Sequence, residues 1–293
     1  MFINFSGLGG ALGYPAAIVS ITFNFKTRRN LALGLVSSGV GAGMFALVPL
    51  MQIAKSYYGT TGFFIMLAAM TANIVTLGML CFPNNLEKYV QFKRNFRTTL
   101  RGKGNAFTNI PKMYYNSVLT KGIIMLSISL TFFCSGTFSI YFLIPSFVSF
   151  VGFTPVQSSF YFAISGIAGI PGRLLTGVIS TSKHVGLYIP YAGSMAVIAL
   201  ATFIYPFVAS YYAGQVIFMT IFGSLVGSPY VVAGPICEMF VPIQFVSSAI
   251  GLLYFAGGVG AVVGPVLSGW LCSFLLFMFS IRFISGSVLP WCP

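Results

Sequence analysis

Long apolar runs separated by short polar breaks dominate the chain. A helix needs about 20 consecutive apolar residues to cross the hydrocarbon core of a bilayer. Eight runs near this length lie at 2–23, 31–54, 61–82, 122–150, 157–180, 187–210, 214–236 and 244–268. A ninth run, 273–289, is short and contains Arg282. Because backbone polar groups must be satisfied within lipid, these runs predict transmembrane helices, and the alternating pattern of a membrane barrel is absent.

Composition agrees with this pattern and excludes a water-soluble globule. The chain is 57% hydrophobic and only 6% charged, with a mean hydropathy of +0.93, whereas a soluble domain is about 25% charged. The cysteines are scattered and form no Cys-x-x-Cys pair, so they indicate neither a metal site nor a disulfide framework. No nucleophile triad, phosphate loop or metal cluster is visible, so neither an enzyme nor a cofactor is expected.

Positive charge predicts the orientation of the chain rather than a nucleic-acid partner. Twelve of the fifteen basic residues fall in three alternate loops, which places them on one side of the membrane. Basic loops stay in the cytoplasm. The long hydrophilic stretch then divides the chain into a partial N-terminal bundle (1–82), a basic cytoplasmic linker (83–121) and a C-terminal bundle (122–293). The linker fits two roles, binding of anionic membrane lipid or simple marking of topology.

A backbone pattern occurs twice, six spans apart. GGALGYP at 9–15 and GSLVGSP at 223–229 both read Gly-x-x-x-Gly-x-Pro, and the following spans share a second set of glycines at a nearly constant offset. A parallel repeat of six helices is typical of major facilitator transporters. The pattern therefore predicts an all-α membrane protein of two helical bundles. The N-terminal bundle is expected to hold helices four to six, and the C-terminal bundle helices seven to eleven with part of the twelfth.

The first loop carries a more specific motif. FNFKTRRNLALGLVSSGVGAG, at 23–43, resembles the signature before the fifth helix of monocarboxylate transporters, the solute carrier 16 type. Stretches at 57–83, 166–180 and 244–271 are also similar to that family. The matched positions are Phe25, Arg28, Arg29, Leu31, Ala32, Gly34, Gly39 and Gly43. Small residues four apart let helix backbones approach closely, so Gly34, Gly39 and Gly43 are expected to pack, with Arg28 and Arg29 in a gating motif.

Arg173 is the charge that lies inside a long span. An ionisable residue at this depth is a functional hypothesis by default, and a guanidinium can pair with a carboxylate through two parallel hydrogen bonds. From position alone, a snorkelling or gate-bracing role is equally open. The resemblance implies that the matching arginine holds the substrate anion. It also implies an aspartate four residues earlier in proton-linked members, but Gly169 stands there, so proton symport stays open.

Aromatic residues supply the remaining site candidates. Phe138 and Tyr141 lie on the fourth span, and Tyr230 follows the proline of the second repeated motif. Transporter sites lie near the membrane midplane, where an aromatic wall would suit the apolar end of a short acid. The alternative for each ring is ordinary packing or a place in an interfacial belt.

The sequence therefore predicts a multi-pass protein, expected in the plasma membrane, that transports small monocarboxylates or related organic solutes by alternating access. Two alternatives stay open: a truncated membrane protein without transport activity, and a transporter of a non-carboxylate solute. Expected partners are a small organic anion and membrane lipid. The resemblance also implies a single-span immunoglobulin-like accessory glycoprotein. The distribution of charge predicts no nucleic-acid partner.

Overall fold

The computed structural model describes residues 13–22, 24–25, 28–79, 88, 118–150, 154–182, 185–209, 211–242 and 245–284. The regular structure of these residues is helical, as predicted. The helices are α1 (Gly13–Thr22), α2 (Arg29–Met79), α3 (Lys121–Phe150), α4 (Pro155–Ile179), α5 (Tyr188–Val208), α6 (Tyr212–Val226), α7 (Ser228–Phe240) and α8 (Val246–Ile284). Within this part of the chain, six segments are long and apolar enough to cross a membrane.

The predicted break between the second and third spans falls at Gly59. Helix α2 runs on both sides of this residue, which has φ +65° and ψ −169°. A positive φ strains residues that carry a Cβ but not glycine. Gly59 therefore lets one apolar segment end and the next begin without a longer loop.

The seventh predicted span is divided in the structure. Helix α6 ends at Val226 and α7 begins at Ser228, with Pro229 in its first turn. Proline has no backbone N–H and its ring crowds the preceding turn, which accounts for the division at this point. Every residue from Ser228 to Cys237 except Tyr230 is buried. Neighbouring parts of the protein therefore enclose most of α7.

The last two predicted spans differ from the structure. The sequence analysis separates 244–268 from 273–289, but α8 is one continuous helix from Val246 to Ile284. The intervening residues contain Gly269 as the sole strong helix breaker, and a single glycine costs a helix only about 1 kcal/mol relative to alanine. The predicted tail beyond Ile284 lies outside the described residues, as does most of the predicted linker 83–121.

The chain forms two compact units. The first is drawn from Met1–Ile123 and Ser159–Gly251, and the second from Ile124–Ser158 and Leu252–Pro293. In the first unit, α5 packs on α6 and α7, and α2 packs on α7. The three-part domain division predicted from the sequence stays a prediction.

Glycines bring α3 and α8 together in the second unit. A Cβ at Gly260 would overlap the carbonyl of Thr131, and a Cβ at Gly264 would overlap the carbonyl of Ser135. The Thr131 hydroxyl also donates to the Ala256 carbonyl oxygen at 3.0 Å. Small residues four apart thus allow the backbones to touch.

Substitution at Gly260 tests this contact. Gly260→Ala should destabilise the protein by about 1–3 kcal/mol, because the new methyl group has to push the α3 backbone away. Gly258→Ala is the matched control in the same helix, since no described atom lies within 4 Å of its Cβ position. The measurement is thermal unfolding of the detergent-purified variants. Equal melting temperatures for the two variants would contradict the close approach.

Candidate functional site

The site is built around Arg173, in the second half of α4. Its side chain is buried, with 6% of the residue exposed. The polar residues Thr176 and Ser180 follow it on the same side of the helix and are buried as well. Their spacing of three and four residues places them on one helix face. This face of α4 therefore carries polar groups into the interior of the first unit.

Three glycines from different parts of the first unit surround the Arg173 side chain. A Cβ at Gly41 would lie 3.0 Å from Nη1, and a Cβ at Gly169 would lie 2.8 Å from the same atom. A Cβ at Gly227 would overlap Nε, Cγ and Cδ. We call Gly41, Gly169 and Gly227 the glycine cradle. The guanidinium occupies the volume that side chains would fill at these positions.

Helices α2 and α4 touch through their backbones beside the cradle. A Cβ at Gly34 would lie 2.7 Å from the Arg173 carbonyl oxygen, and a Cβ at Gly177 would lie 2.7 Å from the Asn30 carbonyl oxygen. Further along, a Cβ at Gly166 would lie 2.6 Å from the Gly41 carbonyl oxygen. Real Cβ atoms do not approach backbone this closely, so the contact requires glycine on both helices.

The opposite side of α4 packs on α6 and α7 in a similar way. A Cβ at Gly172 would overlap the Ser224 carbonyl, and a Cβ at Gly223 would overlap the Ser165 backbone. The hydroxyls of Thr176 and Ser228 form a buried hydrogen bond of 2.7 Å. Helix α4 is therefore fixed between α2 on one side and α6 and α7 on the other.

An ion pair joins the ends of α2 and α7. The Nη1 atom of Arg29 contacts Oε2 of Glu238, and the two side chains are 18% and 22% exposed. Arg29 Nε also donates to the Phe25 carbonyl oxygen at 3.0 Å. Next to this pair, Asn30 Nδ2 donates to the Ser180 carbonyl oxygen at 2.7 Å and ties α2 to α4.

The other predicted site residues lie in varied surroundings. Tyr230 is half-buried in the first turn of α7, in the same unit as Arg173. Phe138 and Tyr141 belong to the second unit, where Phe138 is 37% exposed and the two rings meet edge-on with centroids 6.5 Å apart. Arg28 is exposed.

The glycines of the predicted packing motif separate into two groups. Gly34 makes the close contact with α4, whereas no described atom lies within 4 Å of a Cβ at Gly39 or Gly43. The face that packs carries Gly34 and Gly41, seven residues apart, which is close to two helical turns. A spacing of two helical turns is thus the sequence feature that the two packed glycines share, and the sequence alone does not single it out.

Groups that could hold a metal ion are absent from the described residues. The acidic residues of the chain number two, and Glu238 is the one that the structure describes. The described residues at the cradle supply a buried cation, a group that can recognise an anion.

Comparison with known proteins shows similarity over most of the chain. The model of the Major Facilitator Superfamily matches residues 2–233. Similar proteins include monocarboxylate transporter 12 of Mus musculus (25% identical over 307 residues), monocarboxylate transporter 12-B of Danio rerio (26% over 306) and monocarboxylate transporter 4 of Gallus gallus (27% over 267). These alignments cover 96%, 97% and 91% of this chain but 63%, 63% and 55% of the relatives.

Alanine substitution in the cradle tests its packing. Gly227→Ala should destabilise the purified protein by about 1–3 kcal/mol, because the methyl group displaces the stem of Arg173 from a close-packed interior. Gly39→Ala is the control on α2 and should leave the protein as stable or slightly more stable, since alanine favours a helix. Thermal unfolding of both variants is the measurement. A Gly227→Ala protein that melts at the wild-type temperature would show that the cradle is loosely packed.

Proposed function

The chain belongs to the major facilitator superfamily, and from this premise we propose that it transports small monocarboxylates or related organic anions across a membrane. Its apolar helices make it a multi-pass membrane protein. We propose further that it is a secondary transporter of the plasma membrane that works by alternating access. The similarity to proteins named monocarboxylate transporters supports the substrate class.

The burial of Arg173 is the observation that carries this proposal. A charged side chain deep in a membrane protein is expensive and is retained where it serves a function. A snorkelling arginine would extend its head to the membrane surface, but Nη1 of Arg173 lies back at the level of Gly169, one turn earlier in the helix. Helical side chains lean toward the N-terminus of their helix, so the guanidinium points into the bundle.

Carboxylate is the chemical group that this site suits best. The planar guanidinium presents paired N–H donors that match the two oxygens of a carboxylate. The charge of the whole chain favours an anion as well, because fifteen basic residues stand against two acidic ones. A positive field of this kind raises the local concentration of anions near the protein.

The packing of α4 indicates which parts move together. Helix α4 contacts α2 and α6 through backbone atoms and α7 through the hydrogen bond between Thr176 and Ser228. We propose that α4, α6 and α7 carry Arg173 together while the transporter changes its open side. The division between α6 and α7 at Gly227 and Pro229 lies beside the guanidinium, where a small bend would move it.

Three further assignments stay predictions. Tyr230 is proposed to contact the apolar part of the solute, and it lies three residues beyond Gly227 of the cradle. The roles of Phe138 and Tyr141 in the aromatic wall come from the sequence alone. The immunoglobulin-like accessory glycoprotein comes from the family resemblance alone.

Uptake by an arginine variant tests the proposal. Arg173→Lys keeps the charge but removes the paired donors, so uptake of radiolabelled lactate into cells should fall about tenfold or more. The control is Lys55→Arg, a change between basic side chains at an exposed position, with the surface amount of each protein measured by biotinylation.

Two outcomes would contradict the proposal at different levels. If the wild type takes up lactate and Arg173→Lys does so at the same rate, Arg173 is not part of the substrate site. Absence of wild-type uptake for a panel of labelled monocarboxylates, with normal surface expression, would reject monocarboxylate transport.

A further inference from the structure

We propose that Arg29 and Asn30 form a clasp that closes the basic-loop side of this transporter. Arg29 holds the end of α7 through Glu238. Asn30 holds the end of α4 through the Ser180 carbonyl. Release of the clasp opens the approach to Arg173 from that side. This inference rests on the proposed transport function and adds to it the residues that control access to the site.

The clasp joins three helices that are far apart along the chain. Arg29 and Asn30 are the first two residues of α2, at the first basic loop. Ser180 directly follows the last residue of α4, and Glu238 lies in the last turn of α7. The two contacts connect residues that are 150 and 209 positions apart. Two adjacent residues at the start of α2 therefore hold the ends of two other helices.

The Asn30 side chain supplies a hydrogen bond that α4 itself lacks. The last carbonyl groups of a helix have no partner within the helix, and Ser180 comes directly after α4 ends. Nδ2 of Asn30 donates to the Ser180 carbonyl oxygen at 2.7 Å. A backbone contact one turn earlier fixes this position, because a Cβ at Gly177 would lie only 2.7 Å from the Asn30 carbonyl oxygen. The amide is thus held where it can cap α4.

The contact between Arg29 and Glu238 is partly shielded from water. Both side chains are mostly withdrawn from solvent. Attraction between opposite charges increases as water is excluded, so this pair holds the helix ends more firmly than an exposed pair would. The net contribution of any single polar contact is nevertheless modest, because water can replace the lost partner. Both contacts of the clasp can therefore break and form again during transport.

The clasp lies between the basic-loop side and Arg173. Ser180 follows Arg173 by seven residues, which is two helical turns or about 10 Å. Between these two levels, Gly34 and Gly177 bring α2 and α4 into backbone contact. While the clasp is closed, α2 and α4 leave no passage to Arg173 along this contact.

A third polar contact nearby does not have to break. The hydroxyls of Thr176 and Ser228 join α4 to α7, and these two helices are proposed to carry Arg173 together. The contacts of Arg29 and Asn30 instead join α2 to that group of helices. Separation of α2 from α4 and α7 therefore breaks the clasp and leaves the third contact intact.

Cysteine labelling tests the clasp. Ser180→Cys places a thiol there and keeps the backbone carbonyl that Asn30 binds. The Ser180 side chain is buried, so in the full chain, with the native cysteines replaced by alanine, this thiol should react slowly with a maleimide. Asn30→Asp removes the hydrogen-bond donor and places a negative charge beside the carbonyl. The labelling rate at position 180 should then rise about fivefold or more.

Two controls separate release of the clasp from general loosening. Asn24→Asp makes the same change at an exposed residue whose amide bonds to the Ser20 carbonyl nearby in the chain, so labelling at 180 should stay within about twofold of the wild-type rate. Ser194→Cys places the thiol at a buried position in α5. Equal rates at 180 in Asn30→Asp and Asn24→Asp would overturn the clasp. An equal rise at 194 and 180 would overturn it too, because Asn30 would then merely support the fold.

Charge exchange tests the contact with α7. Arg29→Glu sets two carboxylates against each other, so labelling at position 180 should rise about fivefold or more. Adding Glu238→Arg restores opposite charges and should return the rate to within about twofold of the wild-type value. A double variant that is labelled as fast as Arg29→Glu would overturn the part of the ion pair in the clasp.

Labelling does not depend on transport and so distinguishes the clasp from the proposed function. Uptake of labelled monocarboxylates by the wild type is measured in parallel. If the wild type takes up none of them but the labelling rates change as expected, the transport proposal fails and the clasp stands. If the wild type takes up lactate and the labelling rates do not change, the transport proposal stands and the clasp is overturned.

Discussion

Direct contact between helix backbones on opposite sides of α4 is the constraint on which the rest of the structure depends. Gly34 and Gly177 close the contact with α2, and Gly172 and Gly223 close the contact with α6. Any larger side chain at these positions would separate the helices by the width of a methyl group or more. Lipid provides little hydrophobic driving force between helices, so van der Waals contact of this kind is what holds them together. Arg173 is positioned as a consequence, because both of its flanks are fixed.

The glycines show most clearly what cannot be predicted from the sequence alone. Apolar runs predict most of the helices and the break between 54 and 61, in which Gly59 lies, since span length is a local property. The sequence also identifies Arg173 as a charge at depth. It does not distinguish Gly41, which packs, from Gly39 and Gly43, which have open space around them. Every small residue satisfies the pattern, and only the neighbouring helix decides which face is used. The continuous helix α8 was missed because Gly269 alone is too weak a signal to end a helix.

Position 169 illustrates how packing changes the interpretation of a sequence difference. In the sequence, Gly169 reads as the loss of an aspartate that the family resemblance implies. In the structure, Nη1 of Arg173 and the Gly223 carbonyl oxygen lie 2.8 and 3.1 Å from its Cβ position. A carboxylate there would need both the guanidinium and α6 to move. Glycine at 169 is thus part of the close packing of this bundle. The position of the Arg173 side chain and the absence of an aspartate at 169 depend on each other.

The two kinds of contact in the first unit also suggest where movement begins. Backbone contacts between glycines have no intermediate geometry, because a shift of one ångström either opens a gap or causes a clash, and close-packed interiors respond in discrete steps. Side-chain ties such as Arg29 with Glu238, or Asn30 with the Ser180 carbonyl, can be exchanged one at a time with solvent or with new partners. A bundle built in this way keeps its centre rigid and changes at its ends. The packing around Arg173 is then preserved while the contacts at the helix ends change.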